Sequence, residues 1–151
     1  MRKRGLCIFF AVALLLLLGI GMFMHRFSSL QKSEYVPEDL AEVVLEFTEI
    51  DPVDNRVSFA LTNNGIQDFY FLPDYGLDRK LFGTWYRVPM DRPMSIVALG
   101  GLTVHPGETV RVVRTLSNYY DDLSSGTYRI HFSGWFVNID QPRRIGFEFE
   151  L

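Results

Sequence analysis

From Glu42 onward the apolar residues recur at every second position, and no other property restricts the fold of this chain as strongly. Val43, Leu45 and Phe47 alternate with Val44, Glu46 and Thr48; Val57, Phe59 and Leu61 alternate with Arg56, Ser58 and Ala60. Successive side chains of an extended backbone point to opposite faces, so each run reads as a strand with one buried face. The final run, Phe147, Phe149 and Leu151 interleaved with Glu148 and Glu150, keeps a buried face to the last residue. Further strands are expected at 67–72, 84–89, 95–99, 109–116, 127–133 and 144–151. Turn-forming residues separate them at Asp51-Pro52-Val53-Asp54-Asn55, at Asn63-Asn64-Gly65 and at Val104-His105-Pro106-Gly107-Glu108. No stretch of this region has a helical period. Short strands with turns every 8 to 12 residues or so predict an all-β sandwich or barrel over 42–151.

The N-terminal part obeys a different rule. Leu6 to Met24 is a run of 19 residues without a charge. As a helix it rises about 28 Å, close to the roughly 30 Å of a hydrocarbon core. Lipid offers no partner for backbone amides, so a helix is required there. Arg2, Lys3 and Arg4 place the N-terminus on the cytoplasmic side and the β region outside. A cleaved signal peptide is the competing reading. Its apolar core is shorter, about 7–15 residues, whereas Met22-Phe23-Met24 continues this one past the small residues Gly19 and Gly21. No cysteine follows the core to accept a lipid. Cys7, the only cysteine, lies within the run and reads as a small apolar packing residue, with acylation near the cytoplasmic face as the alternative. The expected organisation is a basic tail (1–5), a transmembrane signal anchor (6–24), a polar stalk (25–41) and the β domain (42–151), with no second span and no C-terminal sorting tail.

Charge limits the partners. Four of the 15 basic residues precede Phe27, while all 18 acidic residues follow it, so the remainder carries a net charge of −7. Such a domain is repelled by phosphate backbones, and nucleic-acid binding is not expected.

No residue pattern assembles a catalytic or metal site. His25, His105 and His131 are far from one another and from Cys7. The pairs Asp51/Asp54 and Asp121/Asp122 lack the acidic loop and distant Glu of a calcium site and read as turn residues. There is no G-x-S-x-G elbow, and Ser29-Leu30-Gln31-Lys32 spells S-x-x-K in the stalk without its partner motifs. Leu72-Pro73-Asp74-Tyr75-Gly76 is similar to a sortase signal but has Tyr75 where Thr is usual; it reads as a turn between strands. Trp85 and Trp135 fall in strand-like contexts and are expected in the core, with sugar stacking as the alternative. Tyr119-Tyr120-Asp121-Asp122 falls in a loop, where two adjacent tyrosines do not both reach the core easily. Exposed tyrosine beside carboxylates suits contact with a protein, peptide or sugar. The plainer alternative is that one ring closes the end of the sandwich.

A series of landmarks runs through the β region: Leu61-Thr62-Asn63-Asn64, Tyr75-Gly76-Leu77, Gly83-Thr84-Trp85-Tyr86-Arg87-Val88-Pro89, Pro106-Gly107-Glu108-Thr109 and Leu123-Ser124-Ser125-Gly126-Thr127-Tyr128-Arg129-Ile130. In this order and spacing, from about Val57 to Ser133, the chain resembles the bacterial Ig-like domains of cell-envelope proteins, chiefly Gram-positive. The last landmark is similar to a tyrosine corner, whose phenol bonds to upstream backbone, although Ser125 stands where the family usually has Pro. The resemblance implies an immunoglobulin-like antiparallel β-sandwich, a cell-surface setting, no cofactor and no catalytic residues.

The expectation is therefore one N-terminal transmembrane helix in the lipid bilayer (6–24), followed by a non-catalytic, extracytoplasmic binding or scaffolding module. Its ligand is a protein or a cell-wall glycan, and Tyr119, Tyr120, Asp121 and Asp122 are the candidate contacts. Two alternatives stay open: a structural subunit of a membrane complex recognised through its helix, and, less favoured, an envelope hydrolase.

Overall fold

A computed structural model describes residues 30–94, 100–139 and 141–151. The expected span at 6–24 and the expected strand at 95–99 lie outside them. Among the described residues no helix is long and apolar enough to cross a membrane. Lys32–Leu151 form one compact unit.

Among the described residues the alternating runs become eight strands in two antiparallel sheets: β1 (Val43–Asp51), β2 (Arg56–Asn63), β3 (Phe69–Leu81), β4 (Thr84–Arg87), β5 (Leu102–Val104), β6 (Thr109–Thr115), β7 (Thr127–Phe136) and β8 (Arg143–Glu150). One sheet has the order β1-β2-β6. The other has the order β4-β3-β7-β8, with β5 also paired to β3. Chain neighbours β5 and β6 thus lie in different sheets, as do β6 and β7, which is the crossover pattern of a sandwich.

The inner faces meet on phenylalanine. Phe59, fully buried in β2, has ring centroids 5.0 Å from Phe132, 5.2 Å from Phe147 and 6.3 Å from Phe71. These are the tilted and edge-on arrangements that aromatic quadrupoles favour. Val57, Leu61, Leu77 and Ile130 are fully buried beside them, as are Phe69, Val104 and Leu116. The residues between them on β2, Ser58, Ala60 and Thr62, are half-buried on the outer face, as the period of two requires.

The tyrosine corner is present: the Tyr128 hydroxyl donates to the Ser124 carbonyl at 2.6 Å. At the other end of the sandwich His105-Pro106-Gly107-Glu108 closes a turn, with the Glu108 amide donating to the His105 carbonyl at 2.9 Å. Gly107 there has φ of +76°, a conformation that suits glycine. The β3–β4 hairpin closes through Phe82 and Gly83, both at positive φ as a two-residue turn demands.

Three expectations are corrected. Leu72-Pro73-Asp74-Tyr75-Gly76 is no inter-strand turn but lies inside β3. The register against β7 slips between Phe71 and Tyr75, leaving Pro73, which has no N–H to donate, in a bulge. The strand then continues through Asp78, Arg79 and Lys80, whose charges hide it from a hydrophobic pattern. Trp85 and Trp135 are half-buried on the outer face of the larger sheet instead of in the core; Trp135 packs on Tyr70 with centroids 4.6 Å apart. Finally, from Lys32 the expected stalk is a strap laid across that outer face, bridged first to Tyr86 of β4 and then to Arg144 of β8.

Two substitutions check this architecture by chemical denaturation. Phe59→Ala removes the ring shared by both sheets and is expected to cost about 3–5 kcal/mol. Tyr128→Phe removes the corner hydrogen bond alone and should cost about 1 kcal/mol.

Candidate functional site

The loop that follows β6 begins with a 3-10 turn, Leu116–Asn118, whose Leu116 is fully buried. That turn feeds the chain back over the end of the core, so the two tyrosines separate. Tyr120 is buried, 1% exposed, and its ring lies 6.1 Å from Tyr75. Burial pushes its phenol well above the usual tyrosine range. Tyr119 is half-buried and meets Tyr75 edge-on at 6.0 Å. Asp121 and Asp122 stay exposed. Asp121 is held in place: its carboxylate pairs with Arg92, and its amide donates to Asp91 at 2.8 Å. Arg92 also donates to the carbonyls of Ser117 and Asn118. The structure thus keeps Tyr119, Asp121 and Asp122 at the surface and commits Tyr120 to closing the sandwich.

The opposite end also presents exposed apolar side chains, as the first does at Val53 and Phe82. Asn63, fully buried at the end of β2, donates from its amide to the carbonyls of Gln67 (2.7 Å) and Val104 (2.9 Å) and accepts from the Gly65 amide (2.9 Å). These bonds lock the β2–β3 loop with Ile66 at its tip, 94% exposed. The β7–β8 loop is tied to it by the Val137 amide, which donates to the Asp68 carbonyl at 2.9 Å. Val137 and Ile139 remain 41% and 37% exposed. Between the loops lies a shallow cleft of ≈ 140 Å³, lined by Ile66, Phe136 and Ile139 together with Glu42 and Arg143. Asn-Asn-Gly marks this turn in the sequence; that it presents an isoleucine outward is a tertiary fact.

The third arrangement lies beneath the strap. Asp78 of β3, fully buried, accepts at Oδ2 from Arg129 Nη2 (2.7 Å), Arg129 Nε (3.3 Å) and the Ser33 hydroxyl (2.7 Å). The guanidinium sits between aromatic rings, 4.5 Å from the Trp85 centroid and 5.0 Å from that of Tyr35, and donates to the Tyr35 carbonyl at 3.0 Å. The Tyr35 ring stacks on His131 at 4.0 Å. Farther along, Glu38 pairs with Arg143 and its amide donates to the Arg144 carbonyl. Burial pushes the Asp78 carboxyl up, but the adjoining His131 ring, Ser33 hydroxyl and Arg129 guanidinium outweigh it and hold the group below its usual range. Among the described residues, no three His, Cys, Asp or Glu side chains converge in a metal-binding arrangement.

Removing one member of the buried pair strands the other. Asp78→Ala is expected to destabilise by about 3–5 kcal/mol, while Asp78→Leu with Arg129→Met recovers most of that loss. The pH dependence follows from the depressed carboxyl. Its contribution is complete above the unfolded value of about 3.9 and disappears as pH falls through the folded value. Wild type should therefore lose stability below about pH 4 more steeply than the double variant, as urea titrations across that range will read.

The profile of a family described as bacterial Ig-like domain matches residues 38–133. No curated protein matches the chain significantly. The matched stretch takes in the end of the strap, the first six strands, the tyrosine corner and β7 as far as Ser133. With that match covering well over half of the sequence, on a two-sheet sandwich closed by Tyr128, the chain belongs to the bacterial Ig-like domain family.

Proposed function

We propose that this protein is a non-catalytic binding or scaffolding module, tethered to the outer side of the membrane by residues 6–24, that contacts a protein partner through one end of its sandwich. The observation that carries the reading is the pinned apolar end: Ile66 94% exposed at a loop tip that a buried asparagine holds rigid, beside Val137, Ile139 and the cleft floored by Phe136. A side chain of that size in full solvent costs free energy that contact with a partner recovers. Holding it still beforehand spares part of the ordering entropy on binding. Glu42 and Arg143 in the same lining set charged groups beside the apolar ones, a mixture that suits a protein interface. A glycan ligand instead calls for exposed aromatic rings, and the tryptophans are engaged with Arg129 and Tyr70. The charge-free run and its basic flank support the tether and its orientation.

The test is affinity capture from envelope extracts with the full chain in detergent. Ile66→Asp with Ile139→Asp is expected to weaken recovery of a specific partner at least tenfold without lowering the melting temperature. Loss of the same partner with Tyr119→Ala and Asp121→Ala instead would move the contact to the opposite end. Replacing residues 6–24 by an unrelated anchor should leave the partner bound; its loss would make the helix the recognition element.

A further inference from the structure

Phe82 stands where the fold by itself does not favour it. It occupies the first central position of the two-residue β3–β4 turn at φ of +50°, followed by Gly83 at +77°. Asn, Asp and Gly suit that position, whereas a bulky side chain there crowds the backbone. The residue is nonetheless 87% exposed, so little of the ring is buried in return. Val53, in the β1–β2 turn, is 88% exposed, and Met90, which follows β4, 42%. All three lie at one end of the sandwich. The Leu116 amide, directly after β6, donates to the Asn55 carbonyl of the β1–β2 turn, and the Asp91 amide donates to the Tyr119 carbonyl in the loop that follows. Arg79, just before the β3–β4 turn, donates to the Ser125 carbonyl where that loop ends.

The strap begins at this same end. Lys32 bridges to Tyr86, and the Ser33 amide donates to the Trp85 carbonyl at 2.9 Å, both on the short strand that leads out of the Phe82–Gly83 turn. β1 by contrast starts at the other end, with Val43 opposite Asn63. Residues 25–31 separate the charge-free run from Lys32, and fully extended they span at most roughly 24 Å. The sandwich is longer than that, since the 10 residues of β7 rise about 33 Å. A link that short holds the end it enters nearest the bilayer that residues 6–24 would span.

From this placement we propose that the Val53–Phe82 end of the sandwich rests on the lipid surface, with Phe82 inserted where headgroups meet acyl chains. The proposal rests on residues 6–24 being the anchor. An apolar ring is stabilised at that depth as it is not in water. Tethering makes the contact intramolecular, so a weak insertion is enough to orient the domain. It needs no anionic lipid, which a net charge of −7 repels. Charges at this end instead pair with one another: Arg56 with Asp51 and Asp54, Arg92 with Asp121, and Lys80 with Glu148. Seated in this way, the domain turns Ile66 and Ile139 away from the bilayer, toward a partner outside.

The test is NMR of the full chain in phosphatidylcholine nanodiscs, with and without a nitroxide on the lipid headgroup. The amide signals of Val53, Phe82 and Gly83 are expected to lose roughly threefold more intensity to the nitroxide than those of Ile66 and Val137, as insertion at headgroup depth requires. Phe82→Asn supplies a residue that the turn prefers. Its melting temperature should therefore hold or rise while the broadening at Val53 and Gly83 falls, whereas a ring with only a structural role would give the reverse. Equal broadening at the two ends, stronger broadening at Ile66, or undiminished broadening in the variant overturns the insertion. The wild-type comparison decides the matter even where the variant does not fold. Co-fractionation with the discs is read separately. A chain that stays with the discs but shows no preference between its ends refutes the lipid contact and leaves the anchor standing; a chain that leaves the discs refutes both.

Discussion

Each strand of this sandwich gives up one row of side chains to the space between the sheets, and the rest of the molecule is arranged around Phe59, where those rows meet. Its contacts with Phe71, Phe132 and Phe147 join β2 to three strands of the opposite sheet. Sequence-distant strands become neighbours because no local pairing buries the same rings. The turns inherit their positions from that packing. Tyr128 bonds back to Ser124 because the chain must cross from one sheet to the other there, and Tyr75 reaches the Thr115 carbonyl across the core. The bulge at Thr48 in edge strand β1, where register slips between Phe47 and Glu49, interrupts a ladder that would otherwise offer a regular edge to another chain.

A second buried layer sits outside the first. An antiparallel sheet ordinarily exposes one face to water, but here the strap covers part of it with a polar arrangement. Burying Asp78 and Arg129 is costly, and the cost is offset only because the pair is joined by two hydrogen bonds and supported by Ser33, the Tyr35 carbonyl and two aromatic rings. An apolar strap would adhere equally well but slide. A carboxylate that accepts from one serine and one arginine admits a single register. Residues 32–39 are in this way part of the domain's own structure.

The functional reading assigns different work to different surfaces. At one end Asn63 holds the loop that presents Ile66 in place. At the other, Tyr120 plugs the core while Asp91, Arg92 and Asp121 brace the loop around it. The adjacent tyrosines that stand out in the sequence are therefore mostly a closure. Ile66, unremarkable in the sequence, is the more exposed apolar group. A pair of neighbouring residues in a loop carries no information about which of them turns inward; the 3-10 turn at Leu116–Asn118 settles that.

What the residues alone determine is whatever local periodicity and turn stereochemistry dictate. The alternation in β1, β2 and β8 fixes which side chains face inward. Pro106-Gly107 fixes a tight turn, and the Leu, Gly and Tyr around residue 126 fix the tyrosine corner. The length and lack of charge of 6–24 define a segment suited to lipid. Everything that rests on contacts distant along the chain was decided by tertiary structure. Asp78 meets Arg129 across 51 positions, and Arg129 meets the Tyr35 carbonyl across 94. No pattern reveals that a run of Asp, Arg and Lys is a strand, because its polarity is explained only by the strap that covers it. The polar character of residues 25–41 reads as solvated stalk for the same reason. Hydrophobic burial leaves a periodic trace in sequence, whereas a buried ion pair leaves two ordinary charged residues whose partnership exists only once the sheet has formed.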